Sequence, residues 1–265
     1  MSKLLWRRLR IAASPLLFAF GAATASGDSA ANEVVHVLVE DNFSPWSNHN
    51  GTGLANELVR AAFGAVHVDV DLRVVPYARC RALVIRGASP SCFSMSPSKD
   101  LADTVRFADK PLYAVTLHAF VGKTSGLTLN SIDDLRAGMR VGVVNGYEYP
   151  PGVAELAKRG VVLESTQSET LNLRKLAVGR LDVALVLTDQ FRSAELVKLQ
   201  SGAVKIMRSF AGASQPSFIG FSMSHPDAER QRTLFNAGFK IITENGKRAA
   251  IESQWHYQCS AYCPE

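Results

Sequence analysis

The run Val34-Val35-His36-Val37-Leu38-Val39 constrains the fold more than any other part of this chain. Such an apolar run reads as a buried strand. It ends in Glu40-Asp41-Asn42-Phe43-Ser44-Pro45-Trp46, a polar, aromatic and proline-bearing loop. A helix is predicted just beyond Gly51-Thr52-Gly53, because Leu54, Leu58, Ala61 and Ala62 fall at i, i+4, i+7 and i+8. A buried strand that feeds a helix through such a loop belongs to an α/β sheet, and loops of this kind leave the strand ends at which ligands are received.

The alternation continues along the chain. Residues 66–75 read as a second strand, and Pro76 starts a short helix over 77–86 closed by Gly87. Strands are predicted over 91–96 and 112–122. Ser131 caps a helical turn with Asp134 three residues on. Strands follow over 139–144, 161–163, 183–187 and 203–207. Pro150 and Pro151 are expected to open a helix that runs to Lys158, and Ser168 caps another that Gly179 stops. A strand over 218–223 leads to a long helix from Pro226 and a short last one. Helices set between nearly continuous apolar strands imply largely parallel sheets covered on both faces.

Residues 1–25 have the design of an export signal. Lys3, Arg7, Arg8 and Arg10 precede an apolar core over 11–23 and the small-residue site Ala23-Thr24-Ala25. That core is shorter than the ~20 apolar residues of a membrane span. The whole chain carries 29 basic and 24 acidic residues, for a net charge of +5. Removing the signal leaves 25 basic residues against 24 acidic ones, so the basic excess belongs to the signal and no nucleic-acid partner is expected. The remaining ~240 residues suffice for one large domain or two modest ones.

Cys80, Cys92, Cys259 and Cys263 all lie beyond the signal, and an even count in an oxidising compartment favours disulfides. Three pairings are open, and proximity favours Cys80–Cys92 with Cys259–Cys263. His256, Cys259 and Cys263 offer only three zinc ligands, so the disulfide is preferred and neither metal nor cofactor is expected.

Further motifs share an order and a spacing. They are Pro76-Tyr77-Ala78-Arg79, Val105-Arg106-Phe107-Ala108-Asp109-Lys110-Pro111-Leu112-Tyr113, Ile132-Asp133-Asp134-Leu135 with Val141-Gly142-Val143, Gly179-Arg180-Leu181-Asp182-Val183-Ala184, and Trp255. With the 40–46 loop and Thr52-Gly53-Leu54, they give the mature chain a resemblance to the family 3 extracellular solute-binding proteins, the periplasmic polar-amino-acid class that serves ABC transporters. The resemblance implies two α/β lobes joined by two crossing strands, with a ligand cleft between them. Lobe one would span 26–117 and 218–265, and lobe two 119–214. It also implies a periplasmic monomer with a small-molecule ligand, and an ABC permease or a membrane receptor as partner.

The same resemblance implies the site. Phe43 and Tyr77 are two aromatics that face each other across the cleft, in motifs that also carry Trp46 and Arg79. Glu40 stands where relatives place an acid for ligand cations, and Ser94 and Ser96 where they present hydroxyls to a ligand carboxylate. Asn145-Gly146-Tyr147 follows a strand and offers backbone N–H groups. Amino-acid binders carry an arginine shortly after the Ser-x-Ser that clamps the α-carboxylate. Here only Lys99 is near, and a lysine is a point charge rather than a fork. The lobe-two acid for the α-amino group would fall near Leu187, beside Thr188 and Asp189. The leading expectation is a receptor for a small polar, aromatic or cationic solute. The alternatives are an enzyme resembling cyclohexadienyl dehydratase with Glu148 as the acid, or a ligand receptor for a signalling partner.

Overall fold

Val35, Val37 and Val39 are buried on one face of the first strand and Leu38 and Glu40 on the other, so its C-terminal half is covered on both faces while Val34 and His36 remain exposed. The structure, a computed structural model, describes residues 34–203 and 205–260. The export segment over 1–25 and the Cys259–Cys263 bond expected from the sequence fall outside the described residues. In chain order the strands are β1 (Val34–Glu40), β2 (Asn42–Phe43), β3 (Ser47–Asn48), β4 (Asp69–Val75), β5 (Ser91–Met95), β6 (Val105–Phe107), β7 (Tyr113–Gly122), β8 (Arg140–Val144), β9 (Val162–Thr166), β10 (Val183–Thr188) and β11 (Ile206–Ser222). The helices are α1 (Leu54–Gly64), α2 (Tyr77–Ile85), α3 (Glu169–Ala177), α4 (Ala194–Ser201), α5 (Ala228–Glu244) and α6 (Lys247–Ser260).

One sheet runs in the order β4-β1-β5-β11-β7-β10-β8-β9, with β6 also paired to β11, while β2 and β3 form a separate hairpin. Its two ends are parallel: β1 with β4 and β5, and β8 with β10 and β9. Its middle is antiparallel, with the long strand β11 laid against both β5 and β7. Register shifts interrupt β11 between Arg208 and Phe210, between Ala211 and Ser214, and between Phe218 and Gly220. The sequence divides β11 into separate strands because Gly212, Pro216 and Gly220 break its apolar pattern. Pairing with β7 instead carries the chain past Gly212 and through Pro216, and pairing with β5 and β6 carries it through Gly220.

Helix α1 buries Leu54, Leu58, Val59, Ala62 and Phe63 against the sheet and against α5. The two helices touch at Gly238, where any Cβ would lie 1.8 Å from the Ala62 carbonyl oxygen. Ser168 caps α3 by accepting from the Leu171 N–H, and Ser131 forms the expected capping box with Asp134 around a single 3-10 turn. The helix expected over 150–158 is absent, and turns end in a 3-10 turn over Ala157–Arg159. Two successive prolines withhold their N–H groups, and Gly152 takes a left-handed φ of 101°, which stops a helix before its first turn closes. The second strand starts only at Asp69, because His67 adopts a left-handed φ of 59°.

Candidate functional site

Both parallel ends of the sheet deliver the C-terminal ends of their strands to the same region, where α/β sheets receive ligands. Glu40 closes β1, Tyr77 opens α2 directly after β4, and Ser96 follows β5. From the other end, the loop 145–149 leaves β8 and the loop 189–193 leaves β10. Between them lies a cavity of about 20 Å³, room for about one water molecule. Its walls include Phe43, Ser94, Ser96, Tyr113, Tyr147 and Glu148, with Leu187 and Gln215.

Two carboxylates and two tyrosines cross this gap in opposite directions. The Tyr147 hydroxyl donates to Glu40, and the Tyr77 hydroxyl donates to Glu148. Arg81 donates to Glu148 at 2.8 Å and pairs with Asp100, while the Ser96 N–H reaches Glu148 at 3.3 Å. The Tyr147 ring stands edge-on to Tyr77, with centroids 5.2 Å apart, and edge-on to Phe43 at 6.1 Å. Gly146, with φ 84°, lets the loop backbone lie against α2, where a Cβ would meet the Ala78 Cα at 3.0 Å.

A second charged group locks the floor. Arg192 is 3 % exposed and pairs with Glu169 at 2.5 Å. It also donates to the Leu187 and Ser44 carbonyls and lies 4.6 Å above the Phe43 ring. Glu169 accepts from the Leu187 N–H at 2.6 Å, and Asp189 accepts from the N–H groups of Phe191 and Arg192.

Burial governs the electrostatics. Glu40, 2 % exposed, is pushed from its ordinary value to about 8, first by loss of water and then by the nearby Glu169, against the Tyr147 hydrogen bond and Arg192. Burial likewise raises Glu148 and Glu169 and takes Asp189 to about 6, each partly offset by hydrogen bonds and an arginine. Tyr77 and Tyr147 are raised by burial and by the carboxylates they face, so both hydroxyls stay protonated donors.

The expected residues divide into two groups. Glu40, Phe43, Tyr77, Ser94, Ser96, Gly146 and Tyr147 are brought together around the cavity. Ser94 holds a left-handed φ of 70° and accepts from the Tyr113 hydroxyl at 2.8 Å. Such backbone strain persists where the surroundings over-determine it. Trp46 is buried behind the site, stacked on Tyr113 at 3.8 Å, and Thr188 is buried at the end of β10, paired with Thr116. Arg79, Lys99 and Asn145 are exposed and do not line the cavity. Arg79 lies two residues from Tyr77, nearly opposite on a helix, whereas Arg81 at i+4 shares its face. Arg81, Glu169, Arg192 and Gln215 escape the sequence reading, and only the i, i+4 spacing of Arg81 from Tyr77 signals any of them. The Cys80–Cys92 disulfide joins α2 to β5 as expected, which ties Tyr77 and Arg81 to the strand that carries Ser94.

Among the described residues no helix is long and apolar enough to cross a membrane, and no group of three or more His, Cys, Asp or Glu residues can hold a metal ion. No protein-family model and no curated protein sequence matches the chain. Solved structures do match. A histidine kinase sensor domain with similarity to periplasmic binding proteins superposes with a TM-score of 0.73 at 21% identity, over 84% of this chain and 96% of its own. An ancestral arginine-binding protein bound to arginine gives 0.71 at 19% identity, over 84% and 98%. An ancestral amino-acid-binding protein, described as a precursor of cyclohexadienyl dehydratase, gives 0.65 at 15%, over 84% and 95%. The match spans most of the chain and nearly all of each relative, so this protein has the α/β fold of the periplasmic binding proteins.

Proposed function

We propose that the protein is a solute-binding receptor that captures a small polar, aromatic or cationic solute between two lobes, residues 26–117 with 218–265 and residues 119–214. The observation that carries this reading is the crossed pairing of Glu40 with Tyr147 and Tyr77 with Glu148. Each pair joins the end of one parallel strand set to the end of the other. A solute that touches both sides would stabilise the closed arrangement by its differential affinity for it. The partner is a membrane protein, an ABC permease or a sensor, reached after export directed by residues 1–25. The resemblance of the sequence to transporter receptors favours the permease.

Mass spectrometry of the native, undenatured protein should find a retained small molecule in stoichiometric amount, and mature protein should begin near Ser26. Protein that retains nothing and shows no thermal shift with any of several hundred polar solutes would sink the reading. An eliminating enzyme is the second reading, because burial raises the Glu148 carboxyl towards the proton-holding state that an acid catalyst needs. Both Glu148 oxygens are already engaged, by Tyr77, Ser96 and Arg81, which favours a binding role. Binding without turnover separates the two.

A further inference from the structure

Three acidic side chains stand at the cavity: Glu148 lines it, Glu40 meets the hydroxyl of the lining residue Tyr147, and Glu169 holds the N–H of the lining residue Leu187. Asp189 lies with Trp46 and Phe191 in a separate pocket. Two guanidiniums accompany the three acids, and both are committed. Arg81 is held by Glu148 and Asp100. Arg192 is held by Glu169, by the Ser44 and Leu187 carbonyls and by the Phe43 ring. Arg192 has all three guanidinium nitrogens engaged, and Arg81 spends Nε and one Nη on two carboxylates of its own, so a ligand carboxylate seeking a bidentate pair would have to displace these partners. Lys99 and Arg79 are exposed and outside the lining. Of the three acids at the cavity, Glu148 and Glu169 are paired with arginines, whereas the Glu40 side chain is met by the Tyr147 hydroxyl. The Tyr147 ring fills a space walled by the rings of Phe43 and Tyr77 and closed at one end by that carboxyl. Aromatic walls around an acid suit a cation, since ring faces and carboxylates both attract positive charge.

We infer that the solute is an organic cation without a carboxylate, an amine or guanidinium compound, whose charged nitrogen takes the place of the Tyr147 hydroxyl on Glu40. The inference rests on the receptor reading and narrows its ligand. It departs from an amino-acid ligand because, among the described residues, the cleft supplies acid for the ammonium while the arginines beside it are already paired with carboxylates. Proton release follows. The groups that face Glu40 are Tyr147 and Tyr149 from the 145–149 loop, Glu169 from α3, Arg192 from the 189–193 loop, Asp41 beside it, Tyr77 from α2 and Tyr113 from β7. Burial keeps the Glu40 carboxyl protonated in the closed, solute-free cleft. A cation at hydrogen-bond distance favours its ionised form, so binding near neutral pH expels about one proton to the buffer.

Matched pairs test this: agmatine against arginine, cadaverine against lysine, and putrescine against ornithine. Each is titrated calorimetrically into protein freed of retained solute by unfolding and refolding with its disulfide intact. At least one decarboxylated cation should bind, and more than about tenfold tighter than its amino acid. Its apparent heat should differ between phosphate and Tris by the ionisation heat of about one proton. Glu40→Gln should weaken it more than tenfold and abolish the buffer dependence, with its melting temperature confirming a folded protein. An amino acid that binds tighter than its amine overturns the inference, as does failure of all six compounds to bind. The receptor reading is judged apart from this, by whether the native protein carries a retained small molecule of any charge.

Discussion

Replacing Glu40 by glutamine asks whether one buried proton holds the cleft shut. In the closed arrangement Glu40 is 2 % exposed, and its carboxyl is raised from 4.5 to about 8. With the cleft open, water returns and the group titrates near its ordinary value. The closed state therefore binds the proton more tightly. The stabilisation is complete below pH 4.5 and is lost as pH rises through 8. At 1.36 kcal/mol per pH unit, about 3 kcal/mol of closure is lost between pH 4.5 and 7. For a chain of this size that corresponds to about 6–12 °C in melting temperature. Glutamine keeps the shape and the hydrogen bond to Tyr147 but cannot ionise. Melting temperature and the radius of gyration from X-ray scattering are measured from pH 4.5 to 8 in both proteins. The natural protein should lose stability and expand as pH rises. Glu40→Gln should remove about one proton's share of that slope, leaving what Glu148, Glu169 and Asp189 contribute. Parallel profiles for the two proteins would refute the argument, since Glu40 would then titrate alike in both arrangements.

Three further outcomes are expected. Phe43→Ala and Tyr77→Ala should each weaken solute binding by about 1–3 kcal/mol, while the exposed Lys99→Ala changes it by less than about 0.5 kcal/mol in the same titration. Gly238→Ala drives a methyl into the Ala62 carbonyl, so denaturant unfolding should show a loss of at least about 3 kcal/mol, and a change under about 1 kcal/mol would contradict the close packing of α1 on α5. Breaking Cys80–Cys92 by a double serine substitution opens a short loop and should cost about 3 kcal/mol of stability. It should also reduce solute affinity, because Tyr77 and Arg81 share the helix that the bond fixes.

Strand and helix positions are legible in the sequence because they depend on local periodicity. Val35, Val37 and Val39 announce a buried strand without reference to anything distant, and Ser168 announces a helix start by its own hydroxyl. The 150–158 segment misleads because prolines open helices in many contexts, and only the backbone turn at Gly152 decides otherwise. The site was half legible. Glu40, Phe43, Tyr77 and Tyr147 lie at strand ends and loop starts, where position alone suggests a role. Arg192 and Glu169 were not, because a buried ion pair between residues 23 apart leaves no trace in local pattern, and each alone reads as a surface charge. Arg79 drew attention by sitting in a motif, yet helical geometry turns Arg81 to Glu148 instead.

Tyr147 and Glu148 are sequence neighbours, and that adjacency has a consequence for how the cleft opens. The two bonds that cross the gap hang from consecutive peptides, on a loop whose glycine leaves no clearance above α2. Neither bond can stretch far without moving the backbone that carries the other. On the two-lobe reading proposed above, the pair breaks as one cooperative event, half-open conformers are sparse, and the cleft behaves as a bistable element rather than a graded hinge. Removing either hydroxyl then shortens the lifetime of the closed form as a whole. A tenfold change in that lifetime needs only about 1.4 kcal/mol, within the net worth of a single hydrogen bond.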